Sequence, residues 1–318
     1  MTVTYRARLA IAAAAFAFAA PALAVDSVKM LIPANPGGGW DTTGRELGRA
    51  LTASGAVKNI QYDNKGGAAG AIGIAQFVNS SKGDPNAMMM GGMVMVGGLI
   101  QNKSAVTIDQ VTPVARLTSE YEVIVVPANG PKTLKELLDK FKANPGSVSW
   151  GGGSAGGTDH ILAGLIAKAV GVEPGKVNYV PFKGGGEAVS AIIGGHVTAG
   201  VSGYSEFAQH IKSGKMRALA VSSAKAMEGI PSLKEQGVNV ELANWRGVFG
   251  APGITKAQRD DLIKVIEKAV KSKEWQEALK RQDWDDYYLP GDAYGQFIAS
   301  ESKRLGEILG ELSLGSKK

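Results

Sequence analysis

The sequence predicts an α/β protein of two domains, and three observations carry that reading. The chain has 318 residues, long enough for two hydrophobic cores at about 100–200 residues per domain. Short apolar runs of strand length alternate with segments of helical periodicity, the pattern of βαβ units and mostly parallel sheets. Glycine, 43 residues of the 318 against a usual share of about 7%, gathers where those runs pass into helices.

The elements follow in order. Residues Met1 to Ala24 read as a leader: Arg6 and Arg8, then an apolar stretch from Leu9 to Ala20, then Ala22-Leu23-Ala24. That stretch is too short to span a bilayer, which takes about 20 residues, and the pattern fits a secretory signal cleaved after Ala24. No cysteine follows to take a lipid. Strands are expected at Val28–Ile32, Asn59–Tyr62, Ala87–Met90, Val114–Leu117, Tyr121–Val126, Ser147–Trp150, Val177–Phe182, Val197–Val201, Met216–Val221 and Trp245–Gly250. Helices are expected at Thr42–Ser54, Ala69–Val78, Leu134–Asn144, Thr158–Val170, Ala188–Ile193, Ser205–Ser213, Lys256–Ser272, Glu274–Arg281 and Ala293–Leu312. Thr133 with Glu136, Ser232 with Glu235 and Thr255 with Gln258 have capping-box spacing, in which side chain and backbone amide satisfy each other reciprocally. The methionines Met88, Met89, Met90, Met93 and Met95 read as a buried strand with adaptable packing. The last 65 residues or so read as almost entirely helical, needing a sheet to pack on.

Composition narrows the function. With no cysteine and 3 histidines there is no disulfide framework, thiolate metal site or cysteine nucleophile, and no spacing suggests a metal or a cofactor. The net charge of +6 falls to +4 without the leader, and basic residues are dispersed, which argues against nucleic acid.

Six glycine-rich turns follow strands: Pro33 to Thr42, Asn64 to Gly70, Gly91 to Val94, Gly151 to Thr158, Lys183 to Glu187, and Ser202 to Ser205. In an open α/β sheet such turns lie at the carboxyl ends of strands, where ligands bind. Bare backbone amides at the following helix N-termini suit an anion. Gly151-x-Gly153-x-x-Gly156 also matches a dinucleotide fingerprint, but the next strand ends Pro181-Phe182-Lys183 with no acid for a ribose. Gly152-x-Ser154-x-Gly156 matches a nucleophile elbow, yet His160, His196 and His210 all fall before the C-terminal hundred residues where a triad histidine belongs. His160 reads instead as part of the helix start. No catalytic constellation survives.

Pro36-Gly-Gly-Gly-Trp-Asp41 after the first strand resembles the substrate-binding proteins of tripartite tricarboxylate transporters, the TctC or Bug family. Further stretches agree in order: Tyr62 to Gly70, Gly153 to His160, Val180 to Glu187, Ile193 to Val197, Ser213 to Val221, Pro231 to Gly237 and Trp245 to Pro252. The resemblance implies a two-domain, Venus-flytrap periplasmic binding protein of type II character with the ligand between the domains. One domain comprises residues 25–126 and 246–318, the other 127–245. It implies a monomer that captures a di- or tricarboxylate, citrate-like, and delivers it to a permease of one large and one small membrane subunit, without catalysis. Carried onto this chain, the ligand-binding positions are Gly37, Gly38, Gly39, Trp40, Asp41, Thr42, Gly92, Met93, Ser154, Ala155, Gly156, Gly157, Thr158, Lys183, Gly184, Gly203 and Tyr204. Trp40 either roofs the cleft or packs beneath it. Lys65, Arg116, Lys183 and Arg246 are candidates to face a second carboxylate, each reading first as a surface residue. Two other functions stay open: a secreted serine hydrolase using Ser154, and a carboxylate-sensing protein that serves a signalling receptor.

Overall fold

The computed structural model describes residues 25–182 and 185–313. The expected leader, Lys183 and Gly184 lie outside them. The strands are β1 (Val25–Ile32), β2 (Val57–Asn64), β3 (Ala87–Gly92), β4 (Thr112–Pro127), β5 (Ser149–Gly152), β6 (Asn178–Pro181), β7 (Ala199–Gly203), β8 (Met216–Val221), β9 (Ala243–Gly250) and β10 (Asp285–Pro290). The helices are α1 (Gly39–Ala53), α2 (Ala71–Ser80), α3 (Met93–Gln101), α4 (Leu134–Ala143), α5 (Thr158–Ala169), α6 (Gly185–Ile193), α7 (Tyr204–Lys212), α8 (Lys256–Val270), α9 (Lys273–Gln282) and α10 (Gly291–Ser313).

The strands run in the order β2-β1-β3-β9-β4-β7-β5-β6, with β8 and β10 also pairing with β4. Everything turns on β4. Its residues 112–121 pair with β9, and 115–119 of these also with β10; residues 122–127 pair with β7 and β8. One 16-residue strand therefore belongs to two sheets. The sequence reading had split it at Thr118-Ser119-Glu120, because a polar run interrupts the apolar pattern. The strand continues there because those polar side chains are buried against partners from other elements.

Two further expectations need correction. The sheet is mixed, not mostly parallel: β1 pairs parallel with β2 and β3, and β5 with β6 and β7, but β4 and β9 run antiparallel to their neighbours. The C-terminal region is not all helix, since β10 adds an antiparallel partner to β4. Its acidic, aromatic sequence Asp-Asp-Tyr-Tyr carries no apolar alternation to announce a strand.

The methionine run also divides. Met88 to Met90 lie buried in β3, while Met93 and Met95 open α3 and point into the same core. Gly92 joins the two without a loop, and a side chain there would collide with the Trp245 carbonyl on β9. Both faces of β4 are covered: Ile124 and Val126 enter a large core with β1, β3, α8 and α10, and Val123 and Val125 a smaller one with Ile192, Phe207 and Met216.

Of the expected capping boxes, Thr255–Gln258 is complete at the start of α8. Ser232–Glu235 forms on a single turn. At α4 the Thr133 hydroxyl accepts from the Glu136 N–H, but the Glu136 carboxylate accepts from Lys132 instead. Among the described residues no helix is long and apolar enough to cross a membrane.

Candidate ligand site

Three of the glycine turns and the two crossing strands β4 and β9 meet at one place. The first turn is organised from within. Gly37 adopts φ +88°, and its N–H donates to the Asp41 carboxylate at 2.9 Å. Asp41 also accepts from Arg45 Nε at 3.0 Å and Asn64 Nδ2 at 2.9 Å. Burial works to raise the Asp41 pKa, but hydrogen bonds from Arg45, Gly37 and Asn64 hold it below the ordinary carboxylate value. Asp41 is thus spent on shaping the turn. Thr43 donates to the Gly39 carbonyl at 2.8 Å and accepts from Arg246 Nη1 at 3.2 Å. Gly39 has to be glycine: a Cβ there would stand 2.5 Å from Arg246 Nη2.

The turn from β5 into α5 is tied down by the first residues of the helix it precedes. Gly153 N–H donates to Asp159 Oδ2 at 2.6 Å, and Gly156 N–H to His160 Nδ1 at 3.1 Å. The His160 ring stacks on Tyr179 at 4.4 Å, and the Tyr179 hydroxyl donates to the Gly153 carbonyl at 2.9 Å. Gly156, at φ +79°, sets its carbonyl against Gly97 of α3, and Gly157 packs near Val94. The turn therefore closes directly on a helix that follows β3 of the other sheet. With Nδ1 engaged by the loop and burial lowering its pKa, His160 serves as helix-start architecture and is not placed as a general base for Ser154.

The third turn ends β7. Gly203 leaves room for the Glu120 carboxylate, whose oxygen would stand 2.7 Å from a Cβ at that position. Ser205 donates to Glu120 at 3.3 Å, and Ser202 donates to Glu206. Behind these turns lies the ion pair of Arg246 with Glu120, each only 5% exposed. Asn244 adds a donor to Glu120 at 3.4 Å. Arg246 thus joins the first turn, through Thr43, to the third, through Glu120.

Glu122, two residues along β4 and on the same face, is wholly buried, and no donor reaches either of its carboxylate oxygens. Burial pushes its pKa well above the carboxylate range; the negative charges of Asp159, Glu120 and Glu206 push the same way, against Arg246. Burial also raises Asp159, to about 7, opposed by the Gly153 N–H and by a side-chain hydrogen bond with Glu122, and reinforced by Glu206 and Glu120. Thr158 Oγ1, beside Asp159 in sequence, and Asn244 Oδ1, two residues before Arg246, are buried without partners.

Not every expected residue joins this arrangement. Gly37, Gly38, Gly39, Asp41 and Thr42 belong to the first turn, Ser154 to Thr158 to the second, and Gly203 to the third. Gly92 pairs with Arg246 in the β3–β9 register, whereas Met93 is wholly buried in the core. Trp40 packs beneath: its ring lies against Gly70, near Met95. Tyr204 turns its ring into the smaller core.

Among the candidate cations, Lys65 is exposed, but Arg246 and Arg116 correct the surface reading. Arg116 is buried elsewhere, with its guanidinium 3.4 Å from the Tyr287 ring centre and 4.3 Å from that of Phe297. Residues that the sequence reading missed are Thr43, Glu120, Glu122, Asp159 and Asn244. The i, i+2 spacing of Glu120 and Glu122 within an apolar strand was the available signal, since it puts both carboxylates on one face. Among the described residues, no cluster of three or more His, Asp or Glu could hold a metal ion.

The chain is similar to known proteins in sequence and in fold. Residues 52–314 match the family described as "Tripartite tricarboxylate transporter family receptor". The chain is 28% identical to Protein BugT of Bordetella pertussis over 295 residues, 89% of this chain and 88% of that protein. A relative from Cupriavidus necator, the UPF0065 protein in the gbd 5' region, is 30% identical over 195 residues, a match covering 60% of this chain and 58% of that protein. The fold is similar to that of a TctC solute-binding protein from Polaromonas (TM-score 0.69, 27% identity, 90% of this chain and 99% of that one). It is also similar to MatC from Rhodopseudomonas palustris, solved with bound malate (TM-score 0.78, 20% identity, 90% and 99% covered).

Proposed function

The chain belongs to the tripartite tricarboxylate transporter receptor family, and from that premise we propose that it is a periplasmic solute-binding protein that captures a di- or tricarboxylate and hands it to a permease of one large and one small membrane subunit. The single observation that carries this reading is the convergence of three helix-initiating turns, at Gly39, Thr158 and Tyr204, on one buried polar junction. The amides of a first helical turn have no intrahelical acceptor and lie at the positive end of the helix dipole. They hold a carboxylate reversibly, with a smaller desolvation cost than a buried arginine pair. The malate bound to MatC supports the same ligand class.

In this reading the protein acts as a monomer, its leader is removed after Ala24, and the binding residues are those of the three turns. Lys183 and Gly184 contribute from a fourth. Two lobes, 25–126 with 246–318 and 127–245, close about the crossing strands β4 and β9. The partition of β4 between β9 and β10 on one side and β7 and β8 on the other supports a hinge there, where small φ/ψ changes are amplified into closure.

A thermal-shift screen of mono-, di- and tricarboxylates tests the proposal, because a ligand that binds only the folded protein raises Tm. Citrate, malate or a related di- or tricarboxylate should stabilise. Stabilisation by sugars alone, with a flat response to every carboxylate, would overturn it.

A further inference from the structure

The polar junction holds more acid than a site for multiply charged anions should tolerate. Glu120, Glu122, Asp159 and Glu206 gather there, and the cation acting on Glu122, Arg246, is already paired with Glu120. Glu122 is wholly buried, no donor reaches its carboxylate oxygens, and only a proton shared with Asp159 gives them a hydrogen bond. Asp159 is half-buried at the turn, with Oδ2 engaged by Gly153. Among the described residues, the other titratable groups near the pair are Tyr179 and His160. Tyr179 donates to Gly153 and stays protonated, because burial raises it well above its usual value; His160 stacks on it and is neutral. Asp159 and Glu122 are placed to share a hydrogen bond, and two carboxyls so placed in a low-dielectric pocket do not both ionise.

We propose that Asp159 and Glu122 form a carboxyl pair that gains a proton when the solute binds and presents it, through Asp159, to a carboxylate oxygen of that solute. The inference rests on the carboxylate reading above and adds to it the residues that set the ligand's charge. Asp159 lies where a ligand would meet it, directly after the Thr158 helix start, while the buried Glu122 pairs in register with Gly203 at the end of β7. Left ionised, the pair would repel a dicarboxylate. Holding a proton, it becomes a hydrogen-bond donor of the charge-assisted, stronger kind. The proton comes from solvent and returns there on release, and no bond in the ligand changes. The pKa of Asp159, pushed up to about 7, puts the exchange near neutral pH.

The test is titration calorimetry with malate and with adipate, both fully ionised from pH 6.5 to 8.5, in phosphate and in Tris. Binding should take up a fraction of a proton near pH 7, seen as a buffer-dependent enthalpy. The Kd should weaken by up to about tenfold per pH unit above it. Glu122→Gln, which donates to Asp159 and holds it as the anion, should lose the gain in affinity at pH 6.5 and flatten the pH slope. Asp159→Asn, which still accepts from Gly153 and carries a permanent donor, should bind with little dependence on pH. The buffer comparison needs no variant, so misfolding of either cannot hide the answer. Carboxylate binding with no proton uptake and an unchanged pH slope in both variants overturns this inference alone. Proton release, with tightening as pH rises, overturns it. No binding of any carboxylate removes the functional reading, and this one with it.

Discussion

Arg246→Met isolates the contact that joins the turns. Arg246 and Glu120 are each 5% exposed and ion-paired, so removing the guanidinium strands a carboxylate in the interior with the neutral donors Ser205 at 3.3 Å, Asn244 at 3.4 Å and Trp284 left to it. Thr43 loses its donor as well. Breaking a buried pair by deleting one partner costs about 3–5 kcal/mol. For a chain of this size that is a fall in Tm of roughly 6–15 °C, at about 2–3 °C per kcal/mol. Glu120 already has its pKa raised by burial, with Arg246 pulling the other way. Without Arg246 the carboxyl neutralises more readily, so the deficit should be smaller at pH 5 than at pH 8. The double variant Arg246→Met with Glu120→Leu removes both charges and should recover more than half of the loss. Guanidinium unfolding of the wild type, both single variants and the double variant measures the cycle. A single variant within 1 kcal/mol of wild type at pH 8, or a double variant less stable than Arg246→Met, would refute the pairing argument.

Other expectations are shorter. Gly39→Ala drives a methyl against the committed guanidinium at 2.5 Å and should cost about 1–3 kcal/mol. Gly38→Ala, whose Cβ meets only the Asn35 oxygen at 3.9 Å, should stay within about 0.5 kcal/mol; equal effects in unfolding experiments would contradict the geometry. Stability should also fall as pH rises from about 4 to 7, since groups with raised native pKa (Glu120, Glu122 and Asp159, the last near 7) stabilise while protonated and cease to as they ionise. Asp41 and Glu46, lowered in the fold, act oppositely, and their stabilisation is lost as pH drops below about 4. A Tm that rises steadily from pH 5 to 8 would contradict this assignment. Ser154→Ala should weaken carboxylate binding by about three- to tenfold, the worth of one hydrogen bond; loss of a measurable esterase turnover in that variant would instead support the hydrolase reading.

Much of the fold was legible because it is local. Apolar runs of four to six residues marked nine of the strands, and residue 255 with residue 258 announced the start of α8 before any coordinates. Strand β10 was hidden because Asp285 and Asp286 carry no alternation, and its partner is Arg116–Ser119 of β4, far away in the chain. The break inferred at Thr118 to Glu120 failed for a related reason. Thr118 bonds to Asp285, and Glu120 to Arg246, and neither partner is visible from the residues around them.

The amino-acid order alone determined that this protein is an α/β chain whose glycine turns open helices, because helix starts, strand lengths and positive φ depend on neighbours within a few residues. It also reached the family, whose turn motifs are contiguous. Only the tertiary structure decided that β4 serves two sheets, that Trp40 lies beneath the turns, and that Arg246 is buried. It alone brought Glu120, Glu122 and Asp159 together from segments up to 39 residues apart. The reason is physical: burial and electrostatic coupling act through space, so a carboxylate's charge state is set by neighbours that the chain supplies from distant places.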